Sequence, residues 1–133
     1  MDKQENIPEI RKTIILNAPI EKVWKAISTS EGIAAWWMAN TFEPTLGKDF
    51  VLRAEPYGDS PCTVTELDAP NRIGFDWDKD WHLTMELTEL EDCKTEFTLI
   101  HSGWTADKLK FRETMDGGWE NIIKERLPVY IGA

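Results

Sequence analysis

The chain has 133 residues, 41% hydrophobic and 29% charged, with a formal net charge of −9. That is the balance of one globular domain, long enough to bury roughly two thirds of its unfolded surface, and its short apolar runs exclude a membrane-spanning class. The acidic excess, with Arg11-Lys12 the only basic doublet near the start, argues against nucleic acid or anionic membrane surfaces as partners, because phosphate binding needs clustered Lys and Arg.

The polar start Met1-Asp2-Lys3-Gln4-Glu5-Asn6 lacks the apolar core of a secretory signal, which predicts a cytoplasmic protein with residues 1–8 flexible. Residues 9–16 alternate and end β-branched, as a strand does. Asn17-Ala18-Pro19 stops it. Proline suits the first helical position and Glu21 the positive end of the helix dipole, so a helix is expected here with Ile20, Val23, Trp24 and Ile27 on its apolar face. Ser30 is placed to cap a second short helix from Glu31 to Trp37, weakened by Gly32. After a loop at 42–47, strands are predicted at 49–54, 62–67, 72–77, 82–90 and 95–102. Turn chemistry separates them at Pro56-Tyr57-Gly58-Asp59, Asp68-Ala69-Pro70-Asn71, Asp78-Lys79-Asp80 and Glu91-Asp92-Cys93-Lys94. The short connections imply an antiparallel meander.

The last segment carries Met115, Trp119, Ile122, Ile123, Leu127 and Tyr130 at spacings of 4, 3, 1, 4 and 3, a helix with one broad apolar face. Gly117-Gly118 reads as its opening. Glycine there costs about 1 kcal/mol each against alanine, which suggests a close backbone approach to a sheet. One domain over 1–133 is predicted, an α+β architecture: a curved six-stranded antiparallel sheet gripping a long C-terminal helix, with two short helices after the first strand.

Four pieces in this order, Ala18-Pro19-Ile20-Glu21-Lys22-Val23-Trp24, Trp36-Trp37, His101-Ser102-Gly103-Trp104 and Gly117-Gly118-Trp119, make the chain resemble the START-like, or helix-grip, superfamily. Within it the chain is similar to the family of homologues of the activator of the heat-shock chaperone ATPase, from about Ile10 to Tyr130. The resemblance implies a cavity between sheet and helix, closed by the short helices and loops. Members of the superfamily bind lipids, hormones, polyketides or other apolar molecules, and a minority are enzymes.

Strand alternation identifies what such a cavity would meet. Thr95, Phe97, Leu99 and His101 share one face of their strand, Leu83, Met85 and Leu87 one face of the next, and Ile73, Phe75 and Trp77 one face of a third. Trp77, Trp81, Met85, Phe97, Leu99, His101, Trp119 and Ile123 are therefore the ligand-binding candidates, though the same residues serve equally as packed core. Trp36 and Trp37 are gate candidates, because adjacent helical residues point to different sides.

His101 is the tempting acid or base, but no motif supplies a nucleophile or acid partner. His82 carries less signal. Asp76, Asp78, Asp80 and Glu86 read as solvated carboxylates. Cys62 and Cys93 lack ligand spacing, so no metal or cofactor is expected. The expected function is non-catalytic binding of a small apolar or amphipathic ligand. The alternatives are a chaperone-associated interaction module and a cavity-based enzyme of cyclase or hydrolase type. A small hydrophobic ligand and a chaperone are the partners considered, with nucleic acid and membrane insertion excluded and both monomer and homodimer open, since an open sheet leaves edges to cover.

Overall fold

The computed structural model describes residues 7–53, 58–78 and 81–132, so the polar start, the Pro56-Tyr57 turn residues and Lys79-Asp80 lie outside the described residues. Chain order is β1 (Ile10–Leu16), α1 (Ile20–Ile27), α2 (Ser30–Trp36), β2 (Asp49–Arg53), β3 (Asp59–Asp68), β4 (Arg72–Trp77), β5 (Trp81–Leu90) and β6 (Lys94–Ser102). A C-terminal helix follows in three parts: α3 (Leu109–Asn121), one wide π turn (Ile122–Arg126) and α4 (Leu127–Ile131). Among the described residues no helix is long and apolar enough to cross a membrane.

The strands form one antiparallel sheet in the order β1-β6-β5-β4-β3-β2. Consecutive strands pair because their connections are short. The β5–β6 turn places Asp92 and Cys93 at φ 61° and 58°, a conformation that Asp tolerates better than most residues. β1 pairs with β6, Ile10 opposite His101 and Leu16 opposite Thr95, so α1 and α2 carry the chain from one sheet edge to the other. The β2 edge is partly occupied: Thr41 N–H donates to Val51 O at 3.0 Å and Arg53 N–H to Ala39 O at 2.9 Å.

The period of two puts the predicted sets inward. Thr95, Phe97, Leu99 and His101 of β6, Leu83, Met85 and Leu87 of β5, and Ile73, Phe75 and Trp77 of β4 are all buried, with Thr95 Oγ1–H donating to Ala18 O just before α1 at 2.8 Å. That helix buries Trp119, Ile123, Leu127 and Ile131. A step of four residues overshoots an α-helical turn by about 40°, so three such steps should leave the buried face. The wide turn takes back this drift. Its Leu127 N–H reaches five residues back to Ile122 O, and Pro128 directly follows it. Proline has no N–H, and its ring crowds the carbonyl four residues earlier, here that of Lys124, so a loosened turn at this point relieves the clash. The phase change is why Ile131 is buried while Tyr130, expected on the apolar stripe, is 46% exposed.

The glycine pair does not have the expected role. The helix starts at Leu109, eight residues before Gly117, and a Cβ at Gly117 or Gly118 would meet no atom within 4 Å. Close approach is not at issue, because no residue from Thr105 to Gly118 is fully buried and the helix settles into the core only at Trp119. Its leading part is held by polar ties instead: Arg112 Nε donates to Pro8 O at 2.8 Å, and Lys12 Nζ lies 2.6 Å from Asp116 and 2.8 Å from Glu120. Two helix starts also differ from expectation. Pro19 precedes α1 in an extended conformation, and Thr29, not Ser30, caps α2 by accepting from Gly32 N–H at 3.0 Å. Trp24 is only half-buried, and Ala26 takes part in the buried face of α1.

Candidate functional site

One end of the concave face holds a box of aromatic rings. Trp77 ends β4 and Trp81 opens β5, and the antiparallel register sets them opposite each other, with ring centroids 5.1 Å apart in an edge-to-face pair. His101, the inward residue near the end of β6, stacks on Trp77 at 5.0 Å with 25° between planes and meets Trp81 edge-on at 5.0 Å. Gly103 follows with φ 96°, which turns the chain back so that the Trp104 ring lies 4.6 Å from His101 and 5.0 Å from Trp81. Glycine is needed for that turn because other residues rarely adopt positive φ.

The helices close the box. Trp119 of α3 meets His101 edge-on at 6.2 Å, and Trp37 lies 4.9 Å from Trp119 and 5.3 Å from Trp77. Trp36 stacks behind Trp37 at 6.0 Å, and its Nε1–H donates to Ala26 O at 2.9 Å. The expectation that these neighbours point to different sides is overturned. α2 ends at Trp36, and Trp37 leaves helical geometry with φ −124° and ψ −88°, which lets both rings turn inward and become buried.

Six of the seven tryptophans thus form one connected set around His101, while Trp24 on α1 stands apart among the described contacts. Of the ligand-binding candidates, Trp77, Trp81, His101 and Trp119 line the box, and Trp36 and Trp37 join them. Met85, Phe97, Leu99 and Ile123 are buried in the same core, farther along β5, β6 and the C-terminal helix. Trp104 was not predicted as a wall, although the Gly103 before it was the available sign that the strand turns back on itself. Trp81 is the half-buried member of the box, so the box reaches the surface at the start of β5.

The polar groups of the box are few. Trp104 Nε1–H donates to His101 O at 2.9 Å, and Trp119 Nε1–H donates to His101 Nδ1 at 3.1 Å. Burial pushes the His101 pKa down to about 3, so the ring is neutral at physiological pH. Since Nδ1 accepts, the ring proton sits on Nε2. That Nε2–H and the Trp77 Nε1–H are buried with no hydrogen-bond partner among the described residues. His101 makes its side-chain hydrogen bond to an indole and not to a carboxylate.

The carboxylates lie on the opposite sheet face. There His82 Nδ1 is 2.9 Å from Asp76 and Nε2 is 3.3 Å from Glu66, while Arg72 bridges Glu66 and Glu86. The Arg72 guanidinium holds the Glu66 carboxyl below its usual range. An open groove of about 430 Å³, lined by Thr41, Asp49, Val51, Thr63, Asp76 and Asp78 among others, lies beside this network. Among the described residues no group of three His, Cys, Asp or Glu is arranged to hold a metal ion. Cys62 is buried and Cys93 exposed, both free thiols. Burial is the main cause that pushes the Cys62 thiol up to about 12.

Comparison with known proteins places this architecture. The family model described as activator of Hsp90 ATPase homolog 1-like protein matches residues 17–132. The solution structure of protein BH1534 from Bacillus halodurans is similar at 41% identity and TM-score 0.86, covering 94% of this chain and 97% of that one. The crystal structure of PFC0360w, an HSP90 activator from Plasmodium falciparum, is similar at 18% identity and TM-score 0.78, covering 95% and 97%. The Aha1 dimer from Colwellia psychrerythraea is similar at 19% identity and TM-score 0.77, covering 88% and 91%. Below 25% identity these last two speak for the fold alone. No protein of curated function matches. The match over residues 17–132, together with the helix-over-sheet architecture, means that the chain belongs to the activator of Hsp90 ATPase homolog 1-like family.

Proposed function

We propose that this domain binds a small apolar or amphipathic molecule in the cytoplasm, between the end of its sheet and the C-terminal helix, without transforming it. One observation carries the reading: four tryptophans, from β4, β5, the turn after β6 and α3, surround His101, with Trp37 and Trp36 packed behind them, at a point where Trp81 reaches the surface. Stability alone needs no such concentration, since aliphatic side chains fill a core as well. Flat rings at a surface-reaching site suit a flat ligand, which gains stacking of about 0.5–1.5 kcal/mol per ring beyond burial.

The neutral state of His101 and its pairing with an indole support binding over acid or base chemistry, which works best with a pKa near the operating pH. Native mass spectrometry and ligand-dependent tryptophan fluorescence across an apolar library test the proposal. Saturable 1:1 binding is expected; no adduct, no quenching and no thermal shift across the library would reject it. The family and the likeness to an HSP90 activator support a second reading, association with a chaperone as monomer or homodimer. A pull-down recovering the chaperone and a change in its ATPase rate would favour that reading, and failure of both would remove it.

A further inference from the structure

We infer that the unpaired N–H groups of His101 and Trp77 recognise the carbonyl oxygen of a neutral, flat aromatic ligand. The inference deepens the proposed binding role and rests on it. Both groups belong to stacked rings 5.0 Å apart, both residues are more than nine-tenths buried, and neither N–H has a partner among the described residues. A buried polar group left unpaired costs about 1–3 kcal/mol, so two on a stacked pair of rings within one box call for an acceptor from outside the chain.

Elimination on hydrogen-bonding capacity gives the class of that acceptor. The site offers donors and no free side-chain lone pair: indole nitrogens have none to offer, and His101 Nδ1 already receives the Trp119 proton. A hydroxyl or a water would satisfy an N–H but bring hydrogens of its own with no side chain of the box to take them. A carboxylate would bring a charge that a neutral imidazole and indoles do not offset, which is expensive in a desolvated site. A carbonyl oxygen has two lone pairs, no proton and no net charge. The surrounding indoles then select a planar aromatic framework on which the carbonyl is carried.

Matched probes test this directly. Fluorene, 9-fluorenone and 9-fluorenol share one flat skeleton and differ only at the group offered to the donors. Each is titrated into ¹⁵N-labelled protein while the Trp77 indole and His101 Nε2–H resonances are followed. Fluorenone is expected to bind about tenfold tighter than fluorene, the equivalent of one well-made buried hydrogen bond, and to move both N–H resonances downfield. Fluorenol is expected to bind more weakly than fluorenone.

Fluorene or fluorenol binding as tightly as fluorenone would overturn the carbonyl inference and leave the binding role standing. No perturbation of any box resonance by any probe would overturn both. In Trp77→Phe the ratio of fluorenone to fluorene affinity should shrink at least threefold, whatever affinity both probes lose with the smaller ring. The wild-type series decides the matter even where that variant does not fold.

Discussion

Acidification from pH 7 to pH 5 should cost this fold about 2 kcal/mol through His101 alone. In the unfolded chain the imidazole titrates near 6.5, whereas burial lowers its pKa to about 3 in the folded protein. The unfolded state therefore binds more protons below pH 6.5, and stability falls as pH drops. The contribution is fully present above the unfolded pKa and is lost progressively from about pH 6.5 toward pH 3. Each unit is worth about 1.4 kcal/mol, so the loss at pH 5 is about 2 kcal/mol, a large share of a typical 5–15 kcal/mol stability.

Urea denaturation at half-unit pH steps, on wild type and on His101→Asn, measures it. The asparagine Oδ1 can take the place of Nδ1 as acceptor for Trp119 without titrating, so the difference between the two slopes cancels the other ionisable groups. Wild type should lose about 2 kcal/mol more than the variant between pH 7 and pH 5. Parallel slopes, or a His101 resonance titrating in the folded protein above pH 5, would refute the reasoning that a dry aromatic box holds this ring neutral.

Three further outcomes follow from the packing. Gly117→Ala and Gly118→Ala, on an exposed helical stretch with room for a Cβ, should each stabilise the protein by about 0.5–1 kcal/mol in chemical denaturation. Gly32→Ala should do the reverse, losing about 1–3 kcal/mol, because its Cβ would come within 2.6 Å of Ala26 O and 2.8 Å of Thr29 Oγ1. Thiol titration should find Cys93 reactive in the native state and Cys62 reactive only after unfolding, since Cys62 is buried with its thiol pushed up to about 12. Two equally fast thiols would contradict this burial.

The fold was legible because its signals are local. Alternation in β4, β5 and β6 identified the inward faces, and turn residues between them implied antiparallel neighbours. What the chain did not disclose depends on distant partners or on backbone detail. Tyr130 and Ile131 exchange places because a π turn before Pro128 resets the helical phase. Gly117-Gly118 looked like a close-contact device, yet the contact that matters is made by Trp119. Trp36 and Trp37 both turn inward because the helix ends between them, a boundary that periodicity does not resolve to one residue. The tautomer of His101 is set by an indole 18 positions away in the chain, across the space between strand and helix. Sequence could nominate the histidine but not supply its partner.

The tryptophans themselves allow the most direct test of the binding site. All seven indole N–H resonances of ¹⁵N-tryptophan-labelled protein can be followed while an apolar aromatic ligand is added. Binding in the box should move Trp77, Trp81, Trp104 and Trp119 together along one saturating curve and leave Trp24, which stands apart on α1, in place. Saturating shifts confined to Trp24, or binding by mass with every box indole unmoved, would contradict the account.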